Sequence, residues 1–190
     1  MRRSLHQILT RPLAALLIAC FLPCLVVLGA TTATAPEPGV FPSIHATSLD
    51  GKKVHLPQDF SGQLNLVLIS FTREQQKEVD TWLPLARRIQ SAHGNFSYYE
   101  LPTTSRDDLL YRWWFDSSLR SNATDKDLRG RTLTAYVSKH SFHKKLHITD
   151  EKRMVAVLVD RSGKIYWRAD GSLTGQAQLA LQSALAANGV

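Results

Sequence analysis

Hydrophobic and polar positions alternate along most of this chain in blocks whose period switches between that of strands and that of helices. Within 41–56, Leu49-Asp50-Gly51-Lys52 separates two short extended pieces, and Pro57 closes the second. An Asp-Gly pair in that setting predicts a β-hairpin, because glycine supplies the positive φ of a tight turn. Residues 64–71 read Leu-Asn-Leu-Val-Leu-Ile-Ser-Phe, near-continuously apolar. Such a run predicts a strand covered on both faces, as in a parallel sheet. Thr72 with Gln75 three residues on fits a capping box, and Glu74 puts a carboxylate in the first turn of a helix. Apolar residues at Val79, Trp82, Leu83, Leu85, Ala86 and Ile89, ending before Gly94, predict a helix over about 73–92, bent at Pro84. Residues 95–101, with Phe96, Tyr98 and Tyr99, read as the next strand. Ser105 with Asp107 and Asp108 then opens a helix over about 105–120.

The last third continues the pattern. Residues 132–138 read as a strand, 154–160 as an apolar strand, Arg161-Ser162-Gly163 as a turn, and 164–169 as its antiparallel partner. Gly171 and Gly175 bracket the start of a final helix over about 173–187, whose apolar face is Leu173, Ala177, Leu179, Ala180, Leu181 and Leu185. Together these elements predict an α/β fold in three layers: a central mixed sheet, an N-terminal β-hairpin and a C-terminal ββα unit.

The N-terminus belongs to another class. Arg2, Arg3 and Arg11 occur without an acid, and residues 13–30 are uncharged and rich in Leu, Ala, Ile and Val. Residues 1–35 therefore read as a signal peptide or an N-terminal membrane anchor. Small residues at 31–35 offer a cleavage site after Ala33 or Ala30. Leu17-Ile18-Ala19-Cys20 matches the letters of a lipobox, but apolar residues follow where a polar tether is expected. After the Pro-rich linker Ala35-Pro36-Glu37-Pro38-Gly39, residues 36–190 are read as one domain. The charge of +7 falls to +4 for that domain, because the leader takes three of the 23 basic residues and none of the 16 acidic ones. That is too weak for a nucleic-acid footprint.

Candidate chemistry is sparse. The only cysteines, Cys20 and Cys24, lie in the leader, so residues 36–190 hold no thiol for nucleophilic attack or disulfide exchange. Arg73-Glu74-Gln75-Gln76 reads as a capped, solvated first turn. His140, His143 and His147 have helical spacing for one face, as a zinc site would need. Lys139, Lys144 and Lys145 among them oppose a divalent cation, so 139–147 is read as a hydrated basic linker; with Arg129 and Arg131 it suits anionic headgroups or an acidic partner. Tyr111-Arg112-Trp113-Trp114-Phe115 concentrates aromatic surface, with one indole read as core and the other as a candidate for a partner or bilayer surface. Asn95-Phe96-Ser97 and Asn122-Ala123-Thr124 match glycosylation triplets. No Ser-His-Asp set, phosphate loop or carboxylate pair has defensible spacing, so no catalytic, cofactor-binding or metal-ligating residue is assigned.

Val157-Leu158-Val159-Asp160-Arg161-Ser162-Gly163-Lys164-Ile165-Tyr166-Trp167 is similar to the hairpin of peroxiredoxin-like and membrane-tethered thioredoxin-like proteins. Phe41-Pro42 and Leu49-Asp50-Gly51-Lys52 resemble the first hairpin of that group, and the likeness covers most of 40–187. Within it, the cysteine-free strand and the ending through Arg168-Ala169-Asp170-Gly171 look most like the mitochondrial ATP synthase assembly factor ten family, a membrane-sector assembly chaperone. The departure is at the active site. Where peroxiredoxins and thioredoxins place cysteines, this chain has Ser70-Phe71-Thr72-Arg73-Glu74-Gln75-Gln76, and the place of the thioredoxin cis-proline falls near Met154. The resemblance thus implies a non-redox thioredoxin-like protein with a degenerate active site and no cofactor. Its expected address is the bacterial cell envelope, periplasmic, secreted or anchored, with the mitochondrial inner membrane as the alternative. The expected partner is a protein, with membrane-surface contact and no nucleic acid. The alternative is a redox protein, or another enzyme using non-cysteine residues on the same scaffold.

Overall fold

A computed structural model describes residues 39–104 and 126–190. The leader, the helix expected over about 105–120 with Trp113 and Trp114, and the triplet at Asn122 lie outside the described residues. In chain order the elements are β1 (Ile44–Ser48), β2 (Lys53–Leu56), β3 (Leu64–Ser70), a 3-10 turn (Arg73–Gln75), α1 (Gln76–Ala92), β4 (Phe96–Thr104), α2 (Lys126–Arg131), β5 (Leu133–Tyr136), α3 (Lys139–Leu146), β6 (Val155–Asp160), β7 (Ile165–Asp170) and α4 (Gly175–Ala186). The strands form one sheet in the order β2-β1-β5-β4-β3-β6-β7. β3 pairs parallel with β4, from Leu64 opposite Phe96 to Ser70 opposite Pro102, and antiparallel with β6. All seven residues of β3 are buried, which explains their near-continuous apolarity.

The pleat sends alternate residues to two cores. Leu64, Leu66 and Leu68 of β3 meet Val79, Trp82 and Leu85 of α1 and Leu181 and Leu185 of α4 on one face. Val67 and Ile69 meet Phe41, Phe60, Leu133, and Phe142 and Leu146 of α3 on the other. Helix, sheet and helix make the three expected layers. Among the described residues, no helix is long and apolar enough to cross a membrane.

Both expected hairpins form. β1 and β2 pair antiparallel around a turn in which Gly51 has a φ of 87°. In the β6–β7 hairpin the Asp160 carboxylate accepts from the Ser162 N–H (2.8 Å), the Lys164 N–H (3.0 Å) and the Tyr166 hydroxyl (2.9 Å). Burial works to raise the Asp160 carboxyl, yet these bonds outweigh it and hold it below the ordinary carboxylate range.

One expectation is corrected. Residues 139–147 are not a hydrated linker: Lys139–Leu146 is the helix α3. Phe142 and Leu146, four residues apart, share its buried face, while His143, Lys144 and Lys145 complement the negative end of its dipole. His147 closes it in the left-handed conformation.

Candidate functional site

The segment corresponding to the missing cysteines joins β3 to α1. Gln75 closes the turn: its Oε1 accepts the backbone N–H of Phe71 (2.8 Å) and of Thr72 (3.4 Å), the reciprocal half of the capping box. Its Nε2 reaches across to donate to the Glu151 carbonyl at 2.6 Å. The expectation of a wholly solvated run is thereby corrected: Arg73 and Glu74 are exposed, but Gln75 is 5% exposed and spans two parts of the chain. Glu74 accepts from its own backbone N–H and from Thr72, which hold its carboxyl below the ordinary value.

The loop before β6, near which the resemblance places the second half of a redox site, is held from two sides. From α1, the Glu78 carboxylate accepts the Met154 N–H at 2.9 Å and pairs with Arg153 at 3.4 Å. From α3, Lys139 Nζ and His143 Nε2 lie 3.0 and 3.1 Å from the two oxygens of Glu151. The His143 ring also stands edge-on to Phe71, centroids 5.6 Å apart. Lower on α1, Trp82 Nε1 donates to the Gly171 carbonyl at 2.8 Å. Thus the turn between β3 and α1 and the loop before β6 are tied to each other.

Beneath α1, β4 carries Glu100, which is 3% exposed. Gln76 Nε2 donates to Glu100 Oε2 at 3.3 Å and to Asp80 Oδ1 at 2.8 Å, while Gln76 Oε1 is buried without a hydrogen-bond partner. Burial pushes the Glu100 carboxyl up to about 7; the Gln76 bond and Arg87 oppose that shift and Asp80 adds to it. A carboxyl in that range has the proton affinity of a general acid or base. No nucleophile–base pair accompanies it among the bonds described.

Of the residues singled out in the sequence, His143 joins this junction through Glu151. His140 is exposed, and Arg131 stacks over Tyr98 with its guanidinium 5.0 Å from the ring centre. Among the described residues, no group of three or more His, Cys, Asp or Glu is placed to hold a metal ion. Sequence reasoning missed Glu78, Glu100 and Glu151. Only Glu100 carried a signal, as a lone acid between Tyr99 and Leu101 in an otherwise apolar strand end.

No protein-family model matches the chain, and no curated protein is similar to it in sequence. Solved structures are similar to it in fold. A thiol:disulfide interchange protein from Bacteroides sp. is 20% identical over 81% of this chain and 91% of its own, with a TM-score of 0.53. BsSco, a member of the Sco family of cytochrome c oxidase assembly proteins in which a disulfide switch was identified, is 15% identical over 80% and 95%, with a TM-score of 0.56. The exposed lipoprotein thioredoxin of Streptococcus pneumoniae strain TIGR4 is 11% identical over 75% and 98%, with a TM-score of 0.51. At these identities the likeness is one of fold: the chain has an α/β, thioredoxin-like fold.

Proposed function

We propose that this chain is a non-redox thioredoxin-like protein, exported or anchored by its N-terminal segment, that binds a protein partner and acts as an assembly factor for a membrane complex. The observation that carries this reading is the junction of β3, α1 and the loop before β6. It holds no cysteine, and Gln75 and Glu78 bond the backbone of that loop internally. Thiol-disulfide exchange needs a thiolate, and residues 36–190 supply none, which supports a binding role over a redox one. BsSco belongs by name to a family of assembly proteins, and the pneumococcal neighbour is an exposed lipoprotein. The first name agrees with an assembly role, as does the resemblance to the ATP synthase assembly factor ten family, and the second agrees with an envelope address.

The redox half of the reading is tested on the full chain in non-ionic detergent, alongside Cys20→Ser/Cys24→Ser. Both are expected to leave insulin disulfides and peroxide at the blank rate; turnover by the cysteine-free variant sinks the proposal. For the binding half, cross-linking in native membranes is expected to trap subunits of one membrane complex, and loss of the chain should lower that complex's assembled fraction. Unchanged assembly without the chain removes the assembly role.

A further inference from the structure

The linker that follows the N-terminal segment enters the domain at the C-terminal end of α3. A Cβ on Gly39 would collide with the Lys145 carbonyl and would stand 2.8 Å from the His147 ring, so only glycine lets the chain pass this close. Val40, next along, is 65% exposed and shares a cleft with Lys145. No carboxylate among the described residues lines that cleft. Lys145 also borders an open groove of about 800 Å³ beside β1 and β2, which His45, Lys53 and His55 line too.

α3 turns its basic side chains outward at the same place. Phe142 and Leu146 are buried, whereas His140, Ser141, Lys144 and Lys145 are exposed. They form two rows of four-residue spacing, His140 with Lys144 and Ser141 with Lys145. Residues 139–149 contain no acid. Lys139 is paired with Glu151, but neither Lys144 nor Lys145 joins a carboxylate among the described residues. Arg131 is turned away, over Tyr98 in the other core.

The dipole of α3 favours cations at this end, but it does not require an acid-free face, nor that the chain enter beside it. Residues 13–30 are uncharged and apolar, and only residues 31–38 separate them from Gly39. Eight residues reach at most about 30 Å. An apolar segment held in a bilayer therefore keeps the end of α3 within that reach of the headgroups. Anionic phospholipid attracts lysines close to its surface, and the attraction fades within a Debye length. The lysine stems and the exposed Val40 suit the boundary between headgroups and acyl chains. An acidic protein would have to be recruited to the same face, whereas the tether supplies the bilayer to it directly.

We infer that the exposed face of α3, with His140, Lys144 and Lys145, docks together with Val40 on the anionic phospholipid surface of the bilayer that holds the N-terminal segment. The inference rests on the anchored form of the proposed function and is independent of the assembly role. The full chain with Cys20→Ser/Cys24→Ser tests it, reconstituted in vesicles of phosphatidylcholine, with or without phosphatidylglycerol, that carry a headgroup-bound quencher. A fluorophore is placed at Ser141→Cys on α3 or, as control, at Ser91→Cys on α1 in the opposite layer. The docked-to-free ratio read from quenching at Ser141 is expected to rise at least about tenfold with phosphatidylglycerol and to fall with salt, with no change at Ser91. Lys144→Glu/Lys145→Glu should lower that ratio at least about tenfold, and Lys77→Glu on α1 should leave it unchanged. Quenching at Ser141 that ignores phosphatidylglycerol, salt and charge reversal overturns the inference while leaving the anchor in place. Cross-linking of α3 to an acidic protein in native membranes, without lipid quenching, overturns it as well. A chain that leaves pure phosphatidylcholine vesicles disproves the anchor instead; salt-sensitive quenching at Ser141 by added phosphatidylglycerol vesicles then upholds the surface, and its absence overturns it. Should the charge-reversed variant lose its fold, quenching in the unreversed chain must still vanish with salt and without phosphatidylglycerol; quenching that persists overturns the inference equally.

Discussion

The junction at the start of α1 and the groove beside β1 and β2 are both rich in polar side chains, yet they differ in where those side chains find partners. At the junction, Gln75, Glu78, Lys139, His143 and Glu151 bond one another or nearby backbone. In the groove, Lys53 and Lys145 meet no described carboxylate, and the histidines stack on each other. Internally satisfied polar groups stabilise a fold, and buried ones are costly to disturb. Unmatched charge of one sign on a surface adds no ion-pair stabilisation and repels itself. The difference teaches that polar side chains at the junction hold distant segments of the chain together, whereas those of the groove contact only their near neighbours.

The comparison breaks most visibly at Trp82, which is fully buried and anchors α1 to Gly171. Trp82→Ala is expected to lower unfolding free energy by about 3–5 kcal/mol in denaturant titration; a loss below 1 kcal/mol, roughly what a surface change gives, would deny α1 that anchoring role.

Next in size is the pH dependence set by Glu100. Its carboxyl is raised from 4.5 to about 7 in the folded chain, so the folded state binds the proton more tightly. The resulting stability is fully present below pH 4.5 and lost as pH rises through about 7. The loss should be on the order of 3 kcal/mol. Glu100→Gln should flatten that slope and make the variant the more stable form at pH 8. Parallel curves for the two proteins would contradict the buried-carboxyl account.

Gln75→Ala sharpens the contrast, since it leaves the Phe71 N–H and the Glu151 carbonyl without their partner. About 1–3 kcal/mol should be lost, together with faster hydrogen exchange at Phe71; unaltered exchange would show that the bridge is dispensable. Lys139→Ala removes a partly exposed ion pair and should cost less than about 1 kcal/mol, diminishing with salt. Smallest of all, His45→Asn/His55→Asn should leave unfolding free energy within about 0.5 kcal/mol. A larger drop would mean that the groove histidines, like the junction, serve the fold.

Much of the architecture was legible because local rules agreed. The apolar run of β3, the Asp-Gly and Ser-Gly turns and the capping pair Thr72 and Gln75 each act within a few residues, and the seven-stranded sheet accommodates all of them. α3 was missed because Phe142 and Leu146 were too few apolar positions to stand out among five basic neighbours. Its helix is secured by burial against Phe41, Phe60 and Leu133 rather than by propensity.

The order of the strands along the chain, the two turns and the lack of a thiol in residues 36–190 were determined by the sequence alone, since each depends on residue type and short-range spacing. The partners of Gln75 and Glu78, 76 residues away, were decided only by the tertiary structure. So were the burial of Glu100 under α1 and the stacking of His45 on His55 across the β1–β2 ladder. Burial and charge proximity are properties of packed surfaces, and those surfaces exist only once the sheet has brought distant segments of the chain together.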